Sequence, residues 1–125
     1  MKLILAIIRI AKMGETKQAL ADAGLPSFTA MPVMGRGRGR GDLAEIKAAS
    51  PNPDIPDEEI VAEMPRLKAK RMITLVVTDE KKDLAAETII KVNQTGKSGD
   101  GKILIVNTLD SISVHTGVVG DATLD

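Results

Sequence analysis

The sequence predicts an α+β fold, the split βαβ or ferredoxin-like sandwich, in which two helices cover one face of an antiparallel sheet. The first observation is the element order, because the predicted elements run β-α-β, long loop, β-α-β, with one small extra strand. Two βαβ halves of similar size are typical of this architecture. The second is length, since 125 residues suit one domain, and we expect residues 1–125 to form one.

The first half is predicted from its apolar pattern and its glycines and prolines. Residues 2–8, KLILAII, form a short apolar run typical of a strand buried on both faces. Residues 13–24 predict a helix that stops at Gly24. Residues 27–35 alternate loosely and predict a second strand. Pro32 indicates that this strand lies at a sheet edge or carries a bulge, because proline has no amide proton to donate.

Residues 36–69 lose all periodicity and contain four of the six prolines. Their charges come in blocks: three arginines, then one lysine and seven acids over residues 42–63, then four basic residues by position 71. A segment of this length without periodic pattern is either functional or disordered. We predict a long flexible loop, with a short helix over residues 57–64.

The second half repeats the pattern with a stronger signal. Residues 71–77, RMITLVV, are β-branched and predict a strand. Residues 78–96 predict a helix that Thr78 or Asp79 caps and that Gly96 ends. The apolar face of this helix is formed by Leu84, Ala85, Thr88, Ile89 and Val92.

The C-terminal part contains one further clear strand, residues 102–106, then a short alternating strand over 110–117 and a tail over 118–125. Strands as apolar as 3–8 and 72–77 are not expected to leave one face of the sheet in water. We therefore expect an oligomer that covers this face.

Composition excludes several kinds of site and partner. The chain has no cysteine and one histidine, His115, which excludes disulfides, thiolate metal sites and multi-histidine metal sites within one chain. Its 17 basic and 17 acidic residues balance and Phe28 is its one aromatic residue, so no nucleic-acid partner is expected. The apolar run at residues 3–8 is far shorter than the roughly 20 residues that span a bilayer. We expect a cytoplasmic protein without membrane insertion.

A glycine-rich stretch, TGKSGDGKI at residues 95–103, carries the strongest functional signal. It begins like a Walker A phosphate loop, but Ile103 stands where serine or threonine should hold magnesium, and the stretch follows a helix instead of a strand. A P-loop is therefore rejected. Its glycines let backbone amides converge on an anion, and Lys97 and Lys102 add positive charge. The alternative interpretation is a helix C-cap followed by a polar turn.

Segments spread over nearly the whole chain resemble the PII signal-transduction proteins. The string TGKSGDGKILIV, followed by HTG, is similar to the family's nucleotide-binding loop and final strand. MKLILAIIR resembles its first strand, VMGRGRGRG the entry into its long T-loop, and KRMITLVVTDE the strand that leaves this loop. The resemblance implies a ferredoxin-like trimer with clefts between subunits where ATP and ADP compete. It also implies that the T-loop, residues 36–69 here, docks into a target protein.

The resemblance assigns ligand-binding residues by position, for ATP or ADP, for magnesium bound with ATP, and for 2-oxoglutarate. No residue of this chain is assigned as a metal ligand. The matched positions are Gly99, Asp100, Gly101 and Lys102 in the phosphate-holding loop, Gly35, Gly37 and Arg38 at the T-loop base that faces the phosphates, Lys70 for 2-oxoglutarate and phosphate, and Ile7, Thr29 and Val76 in the adenosine pocket.

Several positions depart from the family pattern. Gly39 replaces a glutamine that helps to hold magnesium and 2-oxoglutarate, and glycine has no side-chain oxygen to offer. Ser113 and His115 replace two arginines that reach phosphates across the subunit boundary, which predicts weaker triphosphate binding. Protonated His115 supplies part of the lost charge and stays among the candidate nucleotide-binding residues. The alternative for His115 is an ordinary half-buried strand residue. The uridylylated tyrosine of some members is missing, since this chain has no tyrosine.

The stretch GRGRGRG, residues 35–41, has three interpretations: an RNA-binding segment, a plain flexible linker, or the stem of the T-loop. An RNA-binding segment would need flanking aromatic residues and a basic chain, and a linker would not need three arginines. The stem is favoured, because glycines permit unusual backbone conformations near a ligand and arginines can face its phosphates.

We therefore expect a non-enzymatic regulator of nitrogen metabolism that binds adenine nucleotides and acts through its T-loop. The proline-rich, acidic loop most resembles the nitrogenase-associated branch of the family, whose members pair unlike PII subunits and act on nitrogenase. Three alternatives remain: a PII-like assembly or regulatory subunit that has lost or altered nucleotide binding, a trimeric cation-tolerance protein of the same fold, and a nucleic-acid binder.

Overall fold

The computed structural model describes residues 1–37 and 67–125. Within these ranges the strands are β1 Lys2–Ile8, β2 Thr29–Gly35, β3 Lys68–Val77 and β4 Gly101–Asn107, and the helices are α1 Met13–Asp22 and α2 Lys82–Asn93. Short 3₁₀ turns cover Ile10–Lys12, Asp79–Lys81 and Gly120–Thr123. The predicted strand at residues 2–8 coincides with β1. For α1, β2, β3 and β4 at least one predicted end differs from the observed end, by one to three residues.

The strands form one sheet in the order β2-β3-β1-β4, which confirms the α+β, ferredoxin-like prediction. β1 lies in the interior of the sheet and pairs antiparallel with both β3 and β4, so that Ile7 faces Met72 on one side and Lys102 on the other. β2 and β4 are the two edge strands. Pro32 therefore lies on an edge strand, as the sequence predicts.

Alternate residues of the two inner strands form the core with the helices. On β1 and β3 these residues are at most 3% exposed, and they are Ile4, Ala6, Ile8, Ile73, Leu75 and Val77. The residues between them on β1 are only half-buried, and they are Leu3, Leu5 and Ile7. The prediction of a strand buried on both faces is therefore wrong for this chain by itself, because the core cluster covers one face of β1 only.

The predicted helix over residues 78–96 is shorter at both ends. It begins with a 3₁₀ turn, α2 covers Lys82–Asn93, and no side chain caps either segment. The carboxylate of Asp79, a predicted cap, instead accepts a hydrogen bond from the Met1 amino group at 2.5 Å. The predicted cap therefore fails because a contact distant in sequence takes the carboxylate.

The predicted apolar face of this helix is only partly buried. Ala85 and Ile89 lie in the core, but Leu84 is 43% exposed. Asn93 is buried in the last turn of α2, where its side-chain amide donates to Thr16 Oγ1 of α1 at 2.9 Å and to the Ile89 carbonyl at 2.9 Å. A polar contact thus joins the two helices where the apolar pattern predicts none.

Residues 110–117 do not form the predicted extra strand. One isolated bridge joins Ile112 to Val119, and the chain between them turns back at Gly117, whose φ is +73°. His115 is exposed on this turn, so the alternative of a half-buried strand residue is wrong. The tail over 118–125 is folded and contains the last 3₁₀ turn.

Most of the long loop, residues 38–66, lies outside the described residues, and so do the predicted helix at 57–64, Arg38 and Gly39. Contacts place Met1–Val33 and Lys70–Asp125 in one unit, and the described residues 34–37 and 67–69 belong to a second unit. No helix in the ranges 1–37 and 67–125 has the length and apolar character needed to cross a bilayer.

Candidate functional site

The loop that joins α2 to β4, residues 95–101, closes around the carboxylate of Asp100. Its Oδ2 accepts hydrogen bonds from the amides of Thr95 at 2.8 Å and Gly96 at 3.0 Å. Its Oδ1 accepts from the Thr95 hydroxyl and from Arg9 Nη1, the latter at 2.6 Å. A charged acceptor that binds two amides and two side-chain donors fixes the loop in one conformation.

Arg9 ties this loop to the end of β1. Its Nη2 donates to the Ser98 carbonyl at 2.9 Å, while its Nη1 donates to Asp100. The residue before it, Ile8, pairs with Gly101, so the strand register brings Arg9 to the loop. Neither Arg9 nor Thr95 is among the site residues predicted from the sequence. The available signal is only that Arg9 directly follows a strand and that Thr95 is the first residue of the glycine-rich stretch.

Lys70 approaches the loop from β3, and its Nζ donates to the Gly99 carbonyl at 3.0 Å. A Cβ atom on Gly99 would lie 3.5 Å from Arg9 Nη2 and 3.6 Å from Lys70 Nζ, so two cations flank this residue. Lys97 and Lys102 lie in the same short segment. Four basic side chains in and around one loop create a positive potential that attracts anions.

Glycines give the loop a backbone that other residues rarely adopt. Gly96, Gly99 and Gly101 have φ values of +82°, +91° and +127°. Within the described part of the chain, the amides of Ser98 and Gly99 donate no hydrogen bond to another residue. Consecutive amides without a partner are groups that can donate to an anion.

Hydrogen bonding also fixes the charge of Asp100. The Thr95 hydroxyl contributes most, followed by Arg9, and together they hold the pKa of the Asp100 carboxyl well below its ordinary value of 3.8. The carboxylate is thus ionised at neutral pH, where it can only accept hydrogen bonds. Asp100 therefore shapes the loop, and the amides and basic side chains are the groups suited to hold an anion.

Acid is expected to weaken the fold through Asp100. Because folding lowers its pKa, its stabilising contribution is complete above 3.8 and is lost as the pH falls below that value. The free energy of unfolding of the wild type should fall relative to that of the Asp100→Asn variant between pH about 5 and about 2. The pKa of Asp79 is also lowered, by the Met1 amino group, but Asp79 is common to both proteins. Urea unfolding at several pH values measures the free energy of unfolding of both proteins. An equal decrease of this free energy in wild type and Asp100→Asn as the pH falls would contradict the expectation.

A second group of predicted residues lies apart from the loop. Thr29 and Val76 line an open cleft of about 310 Å³. Its walls combine apolar side chains, such as Leu3 and Phe28, with hydroxyls, such as that of Thr74. Ligand pockets begin at about 300 Å³ and mix apolar walls with a few polar groups, so this cleft suits one small ring system rather than a whole nucleotide.

The loop and Thr29 of the cleft lie at opposite edges of the sheet. Thr29 begins β2 and the loop enters β4, and these opposite edges are about three strand spacings, or 14 Å, apart. Along β1, Val76 faces Leu3 whereas Lys102 faces Ile7, a further offset of about 13 Å. Ile7 therefore lies beside the loop, and one chain does not bring it together with Thr29 and Val76.

The other predicted residues are in neither group. Gly35 and Gly37 belong to the second unit, and a Cβ atom on either would meet nothing within 4 Å. Arg38 lies outside the described residues. His115 is exposed on the turn after β4, and the Ser113 hydroxyl accepts a hydrogen bond inside that turn, from the Thr116 amide at 3.4 Å.

Comparison with known proteins gives a consistent result. A sequence model of the family described as "Nitrogen regulatory protein P-II" matches residues 1–118. A "Nitrogen fixation nifHD region GlnB-like protein 2" of Methanothermobacter marburgensis is 42% identical over 99% of this chain and 100% of the relative. A protein of the same name from Methanobacterium ivanovii is 45% identical over 97% of each chain. The "Nitrogen regulatory protein P-II 1" of Escherichia coli K12 is 36% identical over 99% of this chain and all of the relative.

The family match and these relatives confirm both the PII resemblance and its nitrogenase-associated branch. They agree with the fold, which has the strand order of a ferredoxin-like sandwich. The chain belongs to the nitrogen regulatory protein P-II family, whose members are regulatory signal transducers of nitrogen metabolism and not enzymes.

Proposed function

We propose that this signal transducer binds ATP and ADP, with the phosphates at the loop of residues 95–102 and the base at the cleft of Thr29 and Val76 in a neighbouring subunit. The loop is the observation that carries the proposal. Asp100 fixes its shape, the amides of Ser98 and Gly99 have no hydrogen-bond partner among the described residues, and Arg9 and Lys70 flank it. Backbone amides and basic side chains together are a recurring way to bind phosphate.

The distance between loop and cleft supports a site shared by two subunits. They lie at opposite edges of one sheet, so an edge of one chain set beside the opposite edge of the next would unite them. A closed ring of subunits repeats such a junction at every interface. We propose a homotrimer, or a hetero-oligomer with a related PII subunit. The half-buried apolar face of β1 supports this assembly, because a neighbouring subunit would bury apolar residues that one chain leaves partly in water.

Isothermal titration calorimetry tests the nucleotide site. We expect ATP and ADP to bind, and AMP to bind about tenfold more weakly or worse, because its single phosphate cannot use all the amides and cations of the loop. No heat with ATP or ADP, with or without magnesium, would overturn the proposal.

Mixed oligomers test whether two subunits share the site. Arg9→Ala damages the loop and Thr29→Trp fills the cleft, so each variant alone should bind ADP poorly. Oligomers formed from both variants contain junctions that pair an intact loop with an intact cleft, and these should regain ADP binding. Failure to regain any binding in the mixture would mean that one chain contains the whole site.

Two further ligands belong to the same proposal. ATP would carry magnesium, and 2-oxoglutarate would bind only beside magnesium and ATP, where Lys70 offers its ammonium group next to Gly99. Gly39 contributes no side-chain oxygen to either ligand. A titration of 2-oxoglutarate in the presence of magnesium and ATP tests this step separately from nucleotide binding.

We further propose that the T-loop, residues 36–69, docks into a protein of nitrogen metabolism in the cytoplasm. Nitrogenase is the first candidate, because the two archaeal relatives carry names that refer to the nitrogen-fixation nifHD region. The strong blocks of opposite charge along this segment suit electrostatic steering to a charged partner. The affinity of purified nitrogenase components for the protein, with ATP and with ADP, tests the target.

The turn after β4 favours a second candidate function, a PII-like assembly or regulatory subunit with lost or altered nucleotide binding. Ser113 and His115 replace two arginines, and the Ser113 hydroxyl is used inside its own turn. Neither residue offers the bidentate charge of an arginine. The calorimetric titration separates the candidates, because a subunit that has lost nucleotide binding would give no heat with any nucleotide, and one with altered binding would give heat with ADP or AMP but not with ATP.

A further inference from the structure

The C-terminal segment, residues 120–125, folds back onto Ser27, which precedes β2, and onto Lys81, which precedes α2. The Asp125 carboxylate accepts two hydrogen bonds from one residue, from the Ser27 amide at 2.7 Å and from the Ser27 hydroxyl at 2.8 Å. Lys81 Nζ donates to the Asp125 carbonyl oxygen at 2.7 Å. Residues that are 98 and 44 positions away in sequence therefore hold Asp125 in place.

The same segment is anchored at a second point. The Thr123 hydroxyl lies 2.7 Å from the Ser111 hydroxyl and 2.8 Å from the Gly120 carbonyl oxygen. The isolated bridge between Ile112 and Val119 precedes it. The segment is thus fixed at its start, where the Gly120 amide donates to the Ser111 carbonyl at 2.8 Å, and again at Thr123 and Asp125.

Between these anchors the segment forms part of the cleft wall. Thr123, Leu124 and Asp125 line the cleft of about 310 Å³ that Thr29 and Val76 also line. Release of Asp125 from Ser27 would loosen the end of this wall and widen an already open cleft, although Thr123 stays bound to Ser111. The apolar contact that Leu124 offers to a ligand in the cleft would then be weakened.

We infer that Asp125 is a positioning residue, which holds residues 120–125 as a wall of the cleft and thereby sets its affinity for the base and sugar end of a nucleotide. The inference rests on the proposed nucleotide site. It assigns the two ends of the nucleotide to different segments. The C-terminal segment sets the affinity for the base end, and the loop of residues 95–102 sets the affinity for the phosphates. Lys81 acts with Asp125, although it does not line the cleft.

The test compares ADP with inorganic tripolyphosphate as calorimetric probes. Lys81→Ala and Asp125→Ala should each weaken ADP binding about tenfold, because the wall loses a charge-assisted anchor. Their affinity for tripolyphosphate, which has no base, should stay at the wild-type value. Lys81→Arg should restore ADP binding, since it keeps a donor at this position. Lys82→Ala and Asp121→Ala are matched controls: Lys82 pairs with Asp83 instead, and no hydrogen bond is formed by the Asp121 side chain within the described residues.

Amide hydrogen exchange separates this inference from the proposed function. The Ser27 amide should exchange faster in Asp125→Ala than in Asp121→Ala, with no ligand present. Unchanged ADP affinity in both Lys81→Ala and Asp125→Ala would overturn the inference, while wild-type binding would still support the proposed function. Wild-type binding of neither ADP nor tripolyphosphate would refute the proposed function. In that case, unchanged exchange at Ser27 would refute the anchoring role as well.

Discussion

Replacing Gly101 with alanine is expected to destabilise the protein by about 3 to 5 kcal/mol. Gly101 has a φ of +127°, a conformation that side chains rarely adopt. A Cβ atom there would also lie 2.0 Å from the carbonyl oxygen of Ile7, a backbone atom of the inner strand β1. Relief requires β1 and β4 to separate where the loop of residues 95–102 enters the sheet, so strain and lost strand pairing add together.

Urea unfolding followed by circular dichroism measures this effect, with Gly96→Ala as the matched control. Gly96 also has a positive φ, +82°, but a Cβ atom there would meet nothing within 4 Å. Its replacement should therefore cost only the backbone strain, about 1 kcal/mol. Equal losses in the two variants would mean that the contact with Ile7 relaxes without cost, against the expectation.

The sheet could be predicted from sequence because its signals are local. The apolar run at 2–8 has the length of one strand and coincides with β1, and the β-branched run at 71–77 lies within β3. The prediction of a strand failed at residues 110–117, where the alternation of apolar and polar residues is short. The apolar members of this segment, Ile112 and Val114, are 64% and 101% exposed, since among residues 1–37 and 67–125 their strand pairing is limited to the isolated bridge of Ile112 with Val119.

The end contacts of α2 show what local patterns leave out. Thr78 and Asp79 have the composition of a helix cap, yet Asp79 bonds to the Met1 amino group, 78 residues away. Asn93 is buried because Thr16, on the other helix, gives its amide a partner. A hydrogen bond between residues this distant in sequence carries no periodic signature, so pattern alone assigns such residues to the wrong role.

The candidate site likewise contains residues that local sequence patterns predict and residues that depend on contacts distant in sequence. The glycine-rich string located the loop, since positive φ values demand glycine at particular positions. Arg9 and Asp125 were not predicted, because each acts through a partner more than 90 residues away. The separation of Thr29 and Val76 from the loop also depends on strand order, which the sequence predicts only through the fold class.

Replacing Arg9 with alanine is expected to weaken ATP binding about 30- to 100-fold, the largest loss predicted for a single side chain of the site. The guanidinium bonds to Asp100 at 2.6 Å and to the Ser98 carbonyl at 2.9 Å, so its removal frees both sides of the loop. Calorimetry with ATP measures the loss. Arg71→Ala is the matched control, because Arg71 donates to the Lys70 carbonyl at 3.4 Å and to no loop residue within the described ranges.

A double-mutant cycle decides whether Arg9 acts by shaping the loop. If Arg9 works through Asp100, the combined variant Arg9→Ala with Asp100→Asn should bind ATP little worse than the weaker single variant. If the guanidinium instead contacts a phosphate directly, the two losses should add. Equal ATP affinity of Arg9→Ala and wild type would contradict both roles. The first outcome would identify the pair of Arg9 and Asp100 as the means by which the inner strand β1 sets the conformation of a loop at the sheet edge.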